Sequence, residues 1–412
     1  MAQLAPFHLA NWIEGNKDKA KYVLGGSAAP SISLDDLLSL STDPAATERA
    51  LHFRSIKMNI GSGQGAKELR TQIASMYNED ISAANVVTAT GTTGANLTVF
   101  QSLLRAGDHV VCQYPTYPQL LGLPESFQCD ISYWKLDPAR GWQPSIDELR
   151  GLIRPATKMI ILNNPNNPTG VHLDGALQRQ ILDIARDHNL VVFADEIFRP
   201  LFHGPPGGAS TSVPSLVEHN EYSRVVVTSS MSKVWGMSGV RIGWIVSRDR
   251  DILDLVLNTR QYTVMSTSVI DEVVATEVLS PRCRPRILQR HLDYAQKNLA
   301  LLEAFINKNS DMCSWTRPTA GAIAFVKFSS PPAADRQGQV DDDVEFCRQL
   351  LAEDGVLVSP GSLCFSTDGQ RDFPGYVRVH FTVVPEYMEE ALGVVDGFLA
   401  KRRKGGTVTS QL

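Results

Sequence analysis

Between residues 85 and 250 the chain alternates short β-branched runs with helical patterns, and this alternation restricts the fold more than any other feature. The runs begin with Val86-Val87-Thr88-Ala89, His109-Val110-Val111-Cys112, Ile131 to Trp134 and Met159-Ile160-Ile161-Leu162. They continue with Val191 to Ala194, Val225 to Thr228 and Val240 to Ile245. Several are nearly continuous apolar stretches, the pattern of strands buried on both faces. The intervening segments have helical spacing. Gly94 to Arg105, for example, places Leu97, Phe100, Leu103 and Leu104 on one face, with Gly107 as its stop. Strands and helices in this order predict an α/β fold with a mostly parallel central sheet flanked by helices.

After Ile270 the pattern changes to a long charge-mixed helical stretch reaching about Asn307. Strand-like Ala322 to Val326, a helix near Asp342 to Glu353, strand-like Val377 to Phe381 and a last helix follow. These elements fit a smaller α+β domain. The expected division is a large domain over 45–270 and a small one built from 1–44 and 271–412, ending in a flexible tail. At 412 residues the chain is long enough for two domains that share a site. His203 to Pro214, rich in Gly, Pro and Ser, reads as a surface loop.

Charge and cysteine usage remove whole function classes. The formal net charge is −5 and there is no basic stripe, so no nucleic-acid partner is expected. The six cysteines form no C-x-x-C pair and no cluster with zinc-ligand spacing, so no metal is expected. Scattered single cysteines fit a reduced compartment. Met1 to Lys21 lacks a signal-peptide h-region, and no apolar run is long enough to cross a bilayer. A cytoplasmic protein without membrane contact is the expectation. The terminal Ser410-Gln411-Leu412 differs from a peroxisomal Ser-Lys-Leu signal at its middle residue.

The chemistry concentrates in Ser230-Met231-Ser232-Lys233-Val234-Trp235-Gly236-Met237-Ser238-Gly239-Val240-Arg241-Ile242-Gly243. A lysine just past a buried strand, flanked by small residues, can be desolvated and so freed for imine formation. Arg241 and Ser230 could return to the same place to hold a phosphate. A surface lysine in a Gly/Ser loop is the alternative. Thr90-Gly91-Thr92-Thr93-Gly94 lies between a strand and a helix, where N–H groups and hydroxyls suit a phosphate dianion, or simply make a tight turn. Asn163 to Gly170, with two Asn-Asn-Pro steps, follows another strand and marks a turn. Asp195 ends an apolar strand, where an unpaired carboxylate is costly, so it either meets a cation or caps a helix. Tyr376-Val377-Arg378-Val379-His380-Phe381 alternates polar and apolar residues, as a strand with one face towards a site does.

Together these segments resemble the class I/II aminotransferases, the fold-type I pyridoxal-phosphate enzymes, in order over nearly the whole chain. The signature around the cofactor lysine is matched at Ser230, Ser232, Lys233, Gly239, Arg241 and Gly243. The resemblance implies pyridoxal 5'-phosphate held as a Schiff base on Lys233, and an L-α-amino acid substrate. It implies a phosphate cup from Thr92, Thr93, Ser230 and Arg241. Tyr117, in Tyr114-Pro115-Thr116-Tyr117-Pro118, is implied to stack on the pyridine ring; a tyrosine packed in a proline-rich loop is the alternative. Asn167 is implied to bond the phenolic oxygen, and Asp195 to hold the pyridine nitrogen protonated. Arg378 is implied to grip the substrate α-carboxylate, against the alternative of an exposed strand arginine. A homodimer with active sites near its interface is also implied.

Two positions depart from the family. Its members usually carry a tyrosine three residues after the pyridine aspartate, where this chain has Phe198. Where many relatives place a tyrosine beside the neighbouring subunit's phosphate, this chain has Ile60. Phe198, with Leu9-Ala10-Asn11-Trp12-Ile13 and Lys19-Ala20-Lys21, is similar to the capreomycidine-synthase-like branch, which eliminates a β-substituent and closes a ring. Transamination is the first expectation and elimination, replacement or cyclisation the second; a non-catalytic ligand sensor is remote, since Lys233 and Asp195 are both present. Glu14, Glu125, Arg199 and His203 are position guesses for side-chain recognition.

Overall fold

The computed structural model describes residues 4–205, 212–329, 342–367 and 369–405. After a short strand β1 (Tyr22–Val23), the eight strands of the central sheet follow in chain order. These are β2 (Val86–Thr90), β3 (His109–Tyr114), β4 (Asp130–Asp137), β5 (Gln143–Pro144), β6 (Thr157–Asn163), β7 (Val191–Asp195), β8 (Val225–Ser230) and β9 (Ile242–Ser247). The sheet runs β2-β9-β8-β7-β6-β3-β4-β5. From β8 to β4 every pairing is parallel, while β9 lies antiparallel between β2 and β8, and β5 returns antiparallel on β4. The expected mostly parallel α/β sheet is therefore present.

The inner parallel strands β3, β6, β7 and β8 are buried on both sides because their side chains alternate between two cores. Val110, Cys112, Ile161, Phe193 and Val226 face one core. Val111, Ile160, Leu162, Val192 and Val227 face the other. Each fully buried aliphatic side chain contributes roughly 1.5–3 kcal/mol, so a polar residue inside these runs needs a specific reason to be there. The register sets Asn163 opposite Asp195 and Asp195 opposite Thr228, which aligns polar residues at the carboxyl ends of β6, β7 and β8. Open α/β sheets bind ligands at this edge.

Several boundaries correct the sequence reading. The helix expected over Gly94 to Arg105 runs from Gly91 to Leu103 and springs directly from β2. Gly91 has φ +65°, a left-handed turn that lets the helix begin at once. Its buried face carries Ala95, Asn96, Val99 and Phe100, whereas Leu97 is 40% exposed. Close packing against the sheet selects small residues there, a choice that apolar spacing alone does not reveal. The strand expected from Val240 begins at Ile242, because Arg241 takes φ +50° and breaks the extended run. The stretch after Ile270 is two helices, Val269–Val278 and Arg284–Lys308, separated by a turn containing Pro281. Residues 1–44, which carry no strong periodicity, include helices His8–Asn16 and Leu34–Leu40.

The remaining strands are β10 (Cys313–Trp315), β11 (Ile323–Phe328), β12 (Val356–Leu357), β13 (Ser359–Pro360) and β14 (Tyr376–His380). Four form an antiparallel sheet in the order β10-β11-β14-β13, and β1 pairs with β12. Helices Asp343–Asp354 and Pro385–Gly405 complete this part. Among the described residues no helix is long and apolar enough to cross a membrane. Ser410-Gln411-Leu412 and the middle of the 203–214 loop lie outside the described residues.

Candidate active site

Asp195, the last residue of β7, is 2% exposed. Its Oδ2 accepts from Asn96 Nδ2 at 3.0 Å and its Oδ1 from the Ile197 N–H at 3.1 Å. No helix follows, so the carboxylate is not a helix cap. Burial pushes its pKa up to about 6, although both donors and the Lys233 charge pull the other way. Asn96 is fixed in turn: its Oδ1 accepts the Thr228 hydroxyl at 2.7 Å. Its Nδ2 also reaches Gln119 Oε1 at 3.1 Å, and Gln119 Nε2 donates to the Thr93 carbonyl at 2.9 Å. A buried polar network thus joins two strands and two helices with every member bonded.

The loop after β6 is held by its own side chains. Asn163 Oδ1 accepts the Asn167 N–H at 2.7 Å, and Asn166 Oδ1 accepts the Thr169 hydroxyl at 2.7 Å. These bonds aim Asn167 at β14, where its Oδ1 accepts from Arg378 Nη1 at 3.1 Å. Arg378 is 1% exposed, so it is not a solvated strand arginine. Its Nη2 donates to the Gly25 carbonyl, while its buried Nε has no protein partner. Burial lowers the guanidinium pKa to about 10, and the Cys364 and Tyr117 side chains oppose this weakly.

Lys233 lies in the turn after β8. Its carbonyl accepts the Ala29 N–H at 2.9 Å, and the Gly236 carbonyl accepts the Ile32 N–H at 3.1 Å, so the N-terminal segment is strapped across it. Burial, then the Arg378 charge, lower its ammonium pKa to about 8, against the pull of Asp195. The lysine reading is thereby favoured over a solvated loop residue. Beside it, the Gly91–Leu103 helix presents Thr92, whose buried hydroxyl has no partner, and Thr93. A Cβ on Gly91 would lie 2.7 Å from Arg241 Nη2, so only glycine lets the guanidinium lie against the helix start. Arg241 Nη1 donates to the Ser238 carbonyl at 3.0 Å. Ser230 is fully buried and accepts the Ser232 N–H at 3.1 Å. The Tyr117 ring packs against Phe7 with centroids 5.6 Å apart. Burial and the Asp195 charge push its phenol up to about 12.

One cavity of about 1090 Å³ is lined by Lys233, Thr92, Thr93, Tyr117, Asn167, Asp195, Ser230, Arg241 and Arg378. All nine residues singled out from the sequence therefore meet. Phe198 lines it too, 1% exposed, bringing an apolar edge where a hydroxyl was usual. Of the position guesses, Glu14 lines the cavity and pairs with Lys17. Glu125 lies elsewhere; Arg199 pairs with Glu196 and Glu218, and a His203 ring nitrogen bonds the Gly321 carbonyl. Ile60 is 70% exposed. Sequence reasoning missed Asn96, Gln119 and Thr228, whose only signal was polarity inside apolar elements. It also missed the covering helix His8–Asn16, and His380, placed on the Arg378 face of β14 by alternation.

The arrangement can bind a phosphate at a helix start, a cation against Asp195, and a carboxylate at Arg378, with an amine between them. Comparison with known proteins gives the same answer from outside the geometry. The chain is 26% identical to capreomycidine synthase from Streptomyces vinaceus, over 97% of this chain and 96% of that one. It is 25% identical to an aspartate aminotransferase from Thermotoga maritima, over 87% and 88%. A crystal structure of a PLP-dependent aminotransferase from Streptococcus suis superposes with TM-score 0.86 at 30% identity, covering 97% of this chain and 98% of that one. The fold of the PLP-dependent cyclase OrfR also matches, with TM-score 0.83 at 24% identity over 98% and 99%. The family model for aminotransferase class I and II matches residues 36–395. The chain belongs to the class I and II aminotransferase family, of fold type I, and is a pyridoxal-phosphate-dependent enzyme.

Proposed function

We propose that this enzyme transfers the amino group of an L-α-amino acid to a 2-oxo acid. The observation that carries this reading is the convergence of Asp195, Lys233 and Arg378 on one cavity. The residues fit pyridoxal 5'-phosphate. Thr92 offers a buried hydroxyl without a protein partner, Gly91 leaves room for the Arg241 guanidinium, and Asp195 is a buried carboxylate that calls for a cation. Thr92, Thr93, Ser230 and Arg241 would hold the phosphate, Tyr117 would lie against the ring, and Asn167 would donate its free amide N–H to the phenolic oxygen.

When bound, the cofactor supplies an electron sink for negative charge developed at the substrate Cα. Asp195 keeps that sink effective by sharing its charge with the pyridine nitrogen, in a dry place where the attraction is strong. Arg378 binds the α-carboxylate; its unpartnered Nε is the donor that a bidentate pair would use. Lys233, lowered to about 8, is partly neutral near pH 8 and is the group to take the proton from Cα and return it. The helix His8–Asn16 excludes water on one side through Leu9, Ala10 and Ile13.

A second reading has its own support. Phe198 and the end-to-end likeness to capreomycidine synthase favour elimination, replacement or ring closure at the substrate side chain, in specialised metabolism. We also infer a cytoplasmic homodimer with sites near its interface, and a division into a large domain over 45–270 and a small one over 1–44 and 271–412. The exposed apolar residues Met58, Ile60, Tyr262 and Met265 support the dimer. A mass-spectrometric and absorbance screen of cofactor-loaded protein against amino acids tests the reaction type. A new amino acid that appears only when a 2-oxo acid is present supports transamination. Turnover without any acceptor, with the cofactor ending in its starting form, transfers the enzyme to the second group.

A further inference from the structure

We propose that His380 is a second substrate-binding residue, donating its Nδ1–H to the α-carboxylate that Arg378 holds. The proposal rests on the Arg378 assignment made above and adds a partner to it.

Arg378 and His380 are two apart on β14, so their side chains leave the same face, and both line the cavity. The N-terminal segment touches both polar ends. Arg378 Nη2 donates to the carbonyl of Gly25, and a Cβ on Gly26 would lie 3.6 Å from His380 Nδ1. The two nitrogens therefore border consecutive residues, Gly25 and Gly26, of one segment. Gly26 has no side chain, which leaves the space before the ring open. The His380 N–H donates to the Leu24 carbonyl at 2.8 Å and holds the strand to that segment.

The other ring nitrogen identifies the tautomer. Nε2 lies 2.8 Å from the hydroxyl of Thr382, which is fully buried. If Nε2 carried the proton, the Thr382 hydroxyl would accept and its own buried proton would have no acceptor. Leaving a buried donor unmade costs about 1–3 kcal/mol. The cheaper arrangement has Thr382 donating to Nε2, which puts the ring proton on Nδ1, the nitrogen beside the cavity-lining Gly26. Burial and the Lys233 and Arg378 charges hold the imidazole neutral, with its pKa pushed down to about 3. His380 therefore adds a directed donor without adding a third cation to the site.

The test uses holoenzyme and two probes, 2-methylalanine and tert-butylamine. The first has an α-carboxylate, the second does not, and neither carries a hydrogen on the carbon that bears nitrogen. Titrations followed by cofactor absorbance give the preference for the carboxylate. His380→Leu is expected to lower that preference roughly tenfold, the effect of one hydrogen bond to a charged group. His380→Asn, whose amide nitrogen stands near the Nδ1 position, should keep it within about threefold. If the wild type prefers 2-methylalanine and His380→Leu prefers it equally, the proposal is wrong while Arg378 stands. If the wild type shows no preference, the Arg378 reading itself has failed and this one falls with it. A nitrogen NMR spectrum of histidine-labelled wild-type protein gives a readout independent of the variants. A proton on Nδ1 supports the assignment, and a proton on Nε2 overturns it.

Discussion

Asn96 donates to Asp195 Oδ2 at 3.0 Å, so the carboxylate at the end of β7 is held from the helix that follows β2. The same amide accepts from Thr228 at the end of the next strand, which makes Asn96 the tie between three elements of the cofactor floor. Asn96→Ala would leave the Asp195 and Thr228 groups buried with one partner fewer. The expected cost is roughly 2–3 kcal/mol in urea unfolding, with weakened cofactor binding. Asp195→Asn keeps the side-chain shape and can meet one of the two donors through its single oxygen, so it should fold with a modest loss of stability, yet lower turnover roughly 10²–10³-fold. An Asp195→Asn protein with near-normal turnover would remove this carboxylate from the mechanism.

The buried ammonium of Lys233 makes a prediction about the cofactor-free protein. Its folded pKa is depressed from 10.5 to about 8, chiefly by burial. For a depressed lysine, the stability it contributes is present above the unfolded pKa and is lost as pH falls through the folded pKa. Lys233→Met apoprotein should therefore match the wild type above about pH 10.5. It should gain on it as pH falls towards 8, reaching a difference on the order of 3 kcal/mol that stays constant below. Denaturant unfolding at several pH values between 7 and 10.5 measures this directly. A gap that does not change with pH would mean that the lysine is well solvated.

The sheet was legible in the sequence for a physical reason, and the nine cavity residues through that pattern together with the resemblance to the aminotransferases. Strands buried on both faces write themselves as apolar runs, and the residues that break such runs at their carboxyl ends, Asn167, Asp195 and Lys233, have to be there for chemistry. What stayed hidden was whatever depends on contacts far apart in sequence. Leu97 has the right spacing to be core and is exposed, because close approach to the sheet requires Ala95 and Asn96 instead. The N-terminal segment has no periodicity of its own, since Gly25, Gly26 and Ala29 are positioned by β14 and the Lys233 turn. Asn96 looked like an ordinary helix residue until Asp195 and Thr228 were seen on either side of it.

Two glycines of the Lys233 segment should respond in opposite ways to alanine. A Cβ on Gly243 would lie 2.4 Å from the Gly91 carbonyl carbon and 2.6 Å from its oxygen, both backbone atoms that cannot move aside. Gly243→Ala must push β9 away from the start of the cofactor-side helix. It should lose roughly 3 kcal/mol of stability and bind cofactor poorly. Nothing lies within 4 Å of a Cβ on Gly239 in the same chain, and its φ is not in the left-handed range. Gly239→Ala should stay within about 0.5 kcal/mol of the wild type. Thermal unfolding of the two variants side by side is sufficient, and equal behaviour would contradict the close approach of β9 to Gly91.

Phe198 is the position where this chain gives up a hydrogen bond that its relatives usually keep. The ring is 1% exposed and lies against Gly321, where a Cβ would be only 3.3 Å away, so it is fixed rather than mobile. A phenylalanine cannot donate to the phenolic oxygen of the cofactor, leaving Asn167 as the donor on that side. With one donor fewer, negative charge on that oxygen is less well satisfied by the protein and is shared more with the proton on the Lys233 imine. That proton should be held to higher pH than in relatives with the tyrosine. Phe198→Tyr supplies the missing donor and should lower the midpoint of the absorbance titration of holoenzyme by about one unit, the size expected for one hydrogen bond to the charged form. It should also raise the yield of transamination over any side-chain elimination, if the lost hydroxyl is what separates the two outcomes. A midpoint unchanged by Phe198→Tyr, in a variant that still binds cofactor, would show that Asn167 alone sets the charge on that oxygen and that Phe198 acts only through shape.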